Sequence, residues 1–177
     1  MIAIVIMCVG LLTVVAAFAT AVAATQNAQQ NLVARQKALE TMESIFTARN
    51  TQQITFAQIG SIPSGGIFTA GPTPLWSAGN DGLVNTADDV PFAATGACPA
   101  GPECITLPGP DGILGTPDDV GMSLGNFSRK IQINPVLRAD GTTDTNLKQV
   151  TVIVSYEGGT SAVPRSYTVN ALISAFR

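Results

Sequence analysis

The chain has 177 residues, 46% of them hydrophobic and only 12% charged, with a net charge of −3 and no histidine. Missing histidine removes the usual general base and the commonest transition-metal ligand, which argues against triad and zinc chemistry. No basic cluster is present, which argues against nucleic acid as a partner.

Charge is also unevenly placed. No Asp, Glu, Lys or Arg occurs from Met1 to Ala34, and Arg35 is the first. From Met1 to Ala24 the residues are almost all Ala, Val, Ile, Leu, Met and Phe, and about 20 such residues in a helix cross a hydrocarbon layer. Helix formers continue through Gln29, Gln30, Ala34, Gln36, Lys37, Ala38 and Glu40, with no Pro or Gly between Leu11 and Asn50. Residues 1–51 are therefore expected to form one long helix, apolar over 1–24 and amphipathic over 25–51. Leu32, Leu39, Met42 and Phe46 share a face, a stripe expected to dock on a sheet. At about 1.5 Å per residue the helix measures roughly 75 Å, more than a bilayer needs, so it is expected to leave the membrane and enter a globular head. A secretory signal is the competing reading: Ala21-Val22-Ala23 is an A-x-A site, although no positive residue precedes the apolar run.

The run Met1-Ile2-Ala3-Ile4-Val5-Ile6-Met7-Cys8-Val9-Gly10-Leu11-Leu12 resembles the N-terminal helix of type IV pilins and pseudopilins, just downstream of their prepilin peptidase site. Within that family it is most similar to minor pilins. The resemblance covers Met1 to about Asn50 and extends more loosely to the C-terminal strands. It implies an α+β, pilin-like fold, with the long helix on a C-terminal antiparallel sheet. It also implies insertion in a bacterial inner membrane, cleavage by prepilin peptidase, and extraction by the pilus assembly machinery into a helical filament at the cell surface. The aromatic first residue of mature pilins and the glutamate of their helix fall ahead of Met1, so a Gly-Phe-Thr-Leu-Ile-Glu-like sequence is expected upstream. Physical chemistry supports the assembly step: an uncharged helix that leaves lipid must bury its apolar surface elsewhere, and copies of itself are the available partner.

Residues 52–177 carry most of the 17 Gly and 11 Pro and read as a β-rich head. Gln53–Ile59 is expected to be a short strand, and Gly60–Pro74 a loop. Three strands follow from alternation: Phe127, Arg129, Ile131, Ile133; then Val150, Val152, Val154, Tyr156; then Val163, Arg165, Tyr167, Val169, Ala171, Ile173. With Glu157-Gly158-Gly159-Thr160 turning between the last two, they are expected to form an antiparallel meander facing the helix. Cys98 and Cys104 enclose five residues and lack a C-x-x-C pattern; a local disulfide is expected, with two free thiols the alternative. Gly121-Met122-Ser123-Leu124-Gly125 matches a nucleophile elbow, but its Ser has no His to activate it.

An internal repeat lies between helix and sheet. Residues 79–90 (GNDGLVNTADDV) and 109–120 (GPDGILGTPDDV) share G-x-D-G, two aliphatics, a small or polar residue and T-x-D-D-V, and together hold six of the eight aspartates. Three carboxylates held close repel, and a hard divalent cation relieves that repulsion. Calcium, with its six to eight oxygens at flexible angles, is the expected ligand. The expected donors are Asp81, Asn85, Asp88 and Asp89 in the first loop and Asp111, Asp118 and Asp119 in the second, an arrangement similar to the Asp-rich loops of thrombospondin type 3 repeats. The alternative is turn chemistry alone, with Asp side chains bonding nearby amides.

The expected function is a non-enzymatic subunit of a type IV pilus-like filament, its head stiffened by calcium. A minor pseudopilin of a type II-like secretion system is the near alternative. A secreted calcium-binding domain cleaved after Ala23 is the distant one.

Overall fold

The computed structural model describes residues 2–157 and 164–176, apart from the side chains of Ile2, Val5 and Ile6. Helix α1 runs unbroken over Ile2–Asn50, as the uninterrupted helix formers predict. Gln52 ends it by adopting a left-handed backbone at φ 65°, and the Ile54 amide turns back to the Ala48 carbonyl at 3.2 Å.

The buried face of α1 differs from the expected stripe. Met42 is buried and Phe46 half-buried, but Leu32 is 62% exposed and Leu39 39% exposed. The seam instead runs through Ala34, Ala38, Thr41, Ile45 and Ala48, each at most 2% exposed. Their spacing of four, three, four and three puts them on one side of the helix. Small side chains let the helix axis approach the sheet, so close packing rather than side-chain bulk selects the face.

The main sheet of the head consists of β1 (Thr73–Pro74), β4 (Phe127–Leu137), β5 (Thr143–Tyr156) and β6 (Arg165–Ser174), side by side in that order. All neighbours are antiparallel, and α1 packs across β5 and β6. The fold is α+β. The three strands read from alternation are present, and β1 adds a two-residue edge. Ile131 pairs with Val152, which pairs with Val169, and Ile133 with Val150 and then Ala171, so aliphatic rows cross the sheet on the helix side. The Phe127 and Tyr156 rings stack at 5.4 Å, and Tyr156 accepts a 3.2 Å bond from Asn31 on α1. Within Glu157–Thr160 only Glu157 is described; the rest of that expected turn, and Val163, lie outside the described residues.

Gln53–Ile59 forms turns, not a strand. Gln58 Oε1 accepts from both the amide and the hydroxyl of Thr55 at 2.8 and 3.0 Å, while Ile54 and Ile59 anchor the segment in the core. Both anchors are buried although five positions apart, which a strand of period two would place on opposite faces. The following loop contains one turn of 3-10 helix, Ile62–Ser64. A separate hairpin, β2 (Cys104–Leu107) with β3 (Val120–Ser123), adds to the elements that alternation predicts; its short strands are masked by the Gly and Pro around them.

Candidate functional site

The two acidic loops share a common core of hydrogen bonds. In the first, the Leu83 amide donates to Asp81 Oδ1 at 2.8 Å, the Asp81 amide to Asp88 Oδ2 at 3.2 Å and the Asn85 amide to Asp89 Oδ2 at 2.7 Å. In the second, Ile113 to Asp111, Asp111 to Asp118 and Gly115 to Asp119 repeat these distances. The Thr86 hydroxyl lies 2.7 Å from Asp88 Oδ1, and that of Thr116 2.6 Å from Asp118 Oδ1. These hydroxyls are the first cause holding the Asp88 and Asp118 carboxyls below the usual range, with backbone amides adding to the effect.

The shared glycines have shared reasons. Gly82 and Gly112 sit at φ 67° and 71°, the left-handed region that glycine enters freely. A Cβ on Gly79 or Gly109 would overlap the carbonyl oxygen and carboxylate of Asp88 or Asp118. Of the five positions where the copies differ, Asn85 and Gly115 share a left-handed backbone, at φ 62° and 91°.

That difference divides their roles. Asn85 is fully buried, and its Oδ1 accepts from Arg129 Nε at 2.8 Å while its Nδ2 donates to the Arg129 carbonyl at 3.3 Å. Arg129, 2% exposed in β4, reaches Thr41 of α1 and the Trp76 carbonyl at 3.5 Å each. Burial pushes its guanidinium below its ordinary value, against the pull of Glu103, Asp89 and Glu40. The first loop is thus stitched to sheet and helix by one buried cation. Alternation placed Arg129 on the inner face, but only the structure shows that Asn85 receives it. Beside this network a half-buried ion pair joins Lys37 of α1 to Glu103 at 2.6 Å, next to the disulfide.

The second loop is the connection of the β2–β3 hairpin and has no such tie. Leu83 is 2% exposed, whereas its counterpart Ile113 is 61% exposed, as is Leu114. The Cys98–Cys104 disulfide is formed, with Cα atoms 5.7 Å apart. Ser123 lies in strand β3, its Oγ accepting from the Gly125 amide at 3.3 Å.

As possible cation ligands, the three aspartates of each loop are drawn around one short circuit, but their oxygens largely serve amides and the Thr hydroxyl. Among the described residues no group of three or more His, Cys, Asp or Glu is arranged to hold a metal. One oxygen stands apart. Asp119 Oδ1 is buried without a hydrogen-bond partner, whereas its counterpart, Asp89 Oδ1, lies 3.3 Å from the Thr86 amide and 3.1 Å from its hydroxyl. Burial raises the Asp89 carboxyl above its ordinary value despite those bonds.

In comparisons with protein-family models, curated proteins and solved structures, nothing matches this chain.

Proposed function

We propose that the chain is a structural subunit of a type IV pilus-like extracellular filament, polymerising through the apolar half of α1. The observation that carries this is the division of one continuous helix. Its described side chains from Ala3 to Val22 are all exposed, while one face of its far half is buried in the head from Val33 onward. The apolar half is long and apolar enough to cross a membrane, and none of its most apolar window is covered by the head. Such a surface calls for lipid first and for the same helix of other copies afterwards. On this proposal the precursor sits in a bacterial inner membrane, prepilin peptidase and the pilus assembly machinery act on it, and no catalysis belongs to it. A minor pseudopilin of a type II-like secretion system uses the same parts at a filament tip.

The test is expression of the full chain with a pilus assembly machinery, shearing of surface filaments, and mass spectrometry of the mature N-terminus. The chain is expected in the sheared filaments with the apolar half retained. A mature chain beginning at Ala24 refutes the proposal and favours a secreted domain. Scarcity in the filaments distinguishes the tip subunit from the bulk one.

Calcium is a second reading, favoured by the unpartnered Asp119 Oδ1. Asp111, Asp118 and Asp119 would hold the ion in the second loop, and Asp81, Asn85, Asp88 and Asp89 in the first. The ion would offset carboxylate repulsion and stiffen each loop. Melting of the full chain in detergent, with calcium and with chelator, tests it: a ligand bound at 100 times its Kd adds about 2.7 kcal/mol. An unchanged midpoint leaves the loops as turns.

A further inference from the structure

We infer that the second acidic loop of one copy docks on the outward face of α1 of a neighbouring copy, an inference that rests on the filament proposal and names one of its contacts. The repeat supplies the first argument. In residues 79–90 the motif sits with Leu83 buried and Val84 half-buried against its own head. In residues 109–120 the counterparts of those two residues, Ile113 and Leu114, are each 61% exposed. A fold that covers this motif once, and presents an equally apolar copy uncovered, has a surface suited to another chain.

Charge supplies the occupant. The second loop carries three aspartates and no cation, with Asp111 and Asp118 exposed. The exposed ridge Leu32–Arg35–Leu39 on α1 is its complement: two leucines flank a cation that makes no ion pair among the described residues. At helical spacing these three lie within about 60° of arc. These are the leucines whose periodicity predicts a buried stripe, yet the head does not cover them. Apolar meets apolar and negative meets positive. The two surfaces lie on different parts of the chain, so the contact is heterologous. Such contacts, when they do not close into a ring, build helical polymers.

Paired cysteines test this in the full chain. Leu32→Cys and Leu114→Cys are placed together in a Cys8→Ala background, filaments are assembled and oxidised, and cross-linked species are resolved by non-reducing electrophoresis. Ladders of two or more chains are expected, at least ten-fold stronger than when Leu172→Cys replaces Leu114→Cys as an exposed control. Leu114→Asp and Arg35→Glu are each expected to lower filament yield at least ten-fold, with the head's melting midpoint unchanged because all these side chains are exposed. Normal filaments without the ladder overturn the inference while leaving the filament proposal standing. A cross-link confined to single chains, or protection of the Leu114→Cys thiol by lipid vesicles alone, overturns it in favour of fold-back or a membrane contact. Failure of the parent chain to assemble overturns both.

Discussion

Replacing Asn85 with glycine isolates the tie between the first loop and the rest of the head. The second loop shows that glycine is at home at this position, at φ 91° in Gly115, so the loop backbone is preserved. The 2.8 Å bond from Arg129 Nε, a charged donor, is lost, at about 1.5–3 kcal/mol. The 3.3 Å bond to the Arg129 carbonyl adds about 0.5–1 kcal/mol. Relief of the left-handed backbone returns up to about 1 kcal/mol. The net loss is about 1–4 kcal/mol, or roughly 2–16 °C in midpoint for a chain of this length. Asn85→Ala lacks that relief and is expected to fall about 1 kcal/mol further. Urea unfolding of the full chain in detergent, followed by Trp76 fluorescence, measures both. If Asn85→Gly unfolds with the parent, the buried cation does not depend on this side chain and the keystone role assigned to it fails; if Asn85→Ala is no worse than Asn85→Gly, the backbone contribution fails instead.

The repeated glycines give a paired experiment. Gly79→Ala and Gly109→Ala both force a Cβ into an aspartate, but Gly79→Ala is expected to cost more, about 2–4 kcal/mol, because its loop is held by the core. Equal midpoints would contradict the difference in anchoring. In the acid range, Asp88 and Asp118 titrate below the unfolded value. Their contribution to stability is therefore complete above the unfolded carboxylate pKa and disappears as pH falls through the lowered folded value. Asp89, raised by burial, acts in the opposite sense and disfavours the fold as it ionises. Thr86→Val is expected to move the Asp88 titration upward toward its ordinary value, read by carboxyl NMR; no movement would remove the hydroxyl as the leading cause. Opening the Cys98–Cys104 bridge, whose cysteines are six positions apart, is expected to cost roughly 2 kcal/mol by loop entropy, seen as a lower midpoint in reductant.

The features legible in the sequence are those written by composition over many residues. Forty residues without Pro or Gly from Leu11 to Asn50 specify a helix, and alternation through Ile131, Val152 and Val169 specifies strands and their inward face. Repetition exposed the two loops, and their matched hydrogen bonds follow from matched residues. What escaped depends on distance between segments. The seam of α1 is set by how closely Ala34 and Ala38 allow the sheet to approach, which no count of large apolar residues reports. The partnership of Asn85 with Arg129, 44 positions apart, leaves only one trace in sequence: an asparagine where the sister loop has glycine.

The hydrogen bonds that the two acidic loops share all close within about a dozen residues, so that common core asks little of its surroundings. It behaves as a portable part. One copy is structural, with an amide where the backbone needs only a left-handed turn, while the other lies on the surface. The surface copy can be moved, lost or altered without disturbing the core, whereas the inner copy cannot. Changes in the outer loop are therefore expected to act on contacts between copies and to spare the fold, whereas changes in the inner one loosen helix, sheet and loop together.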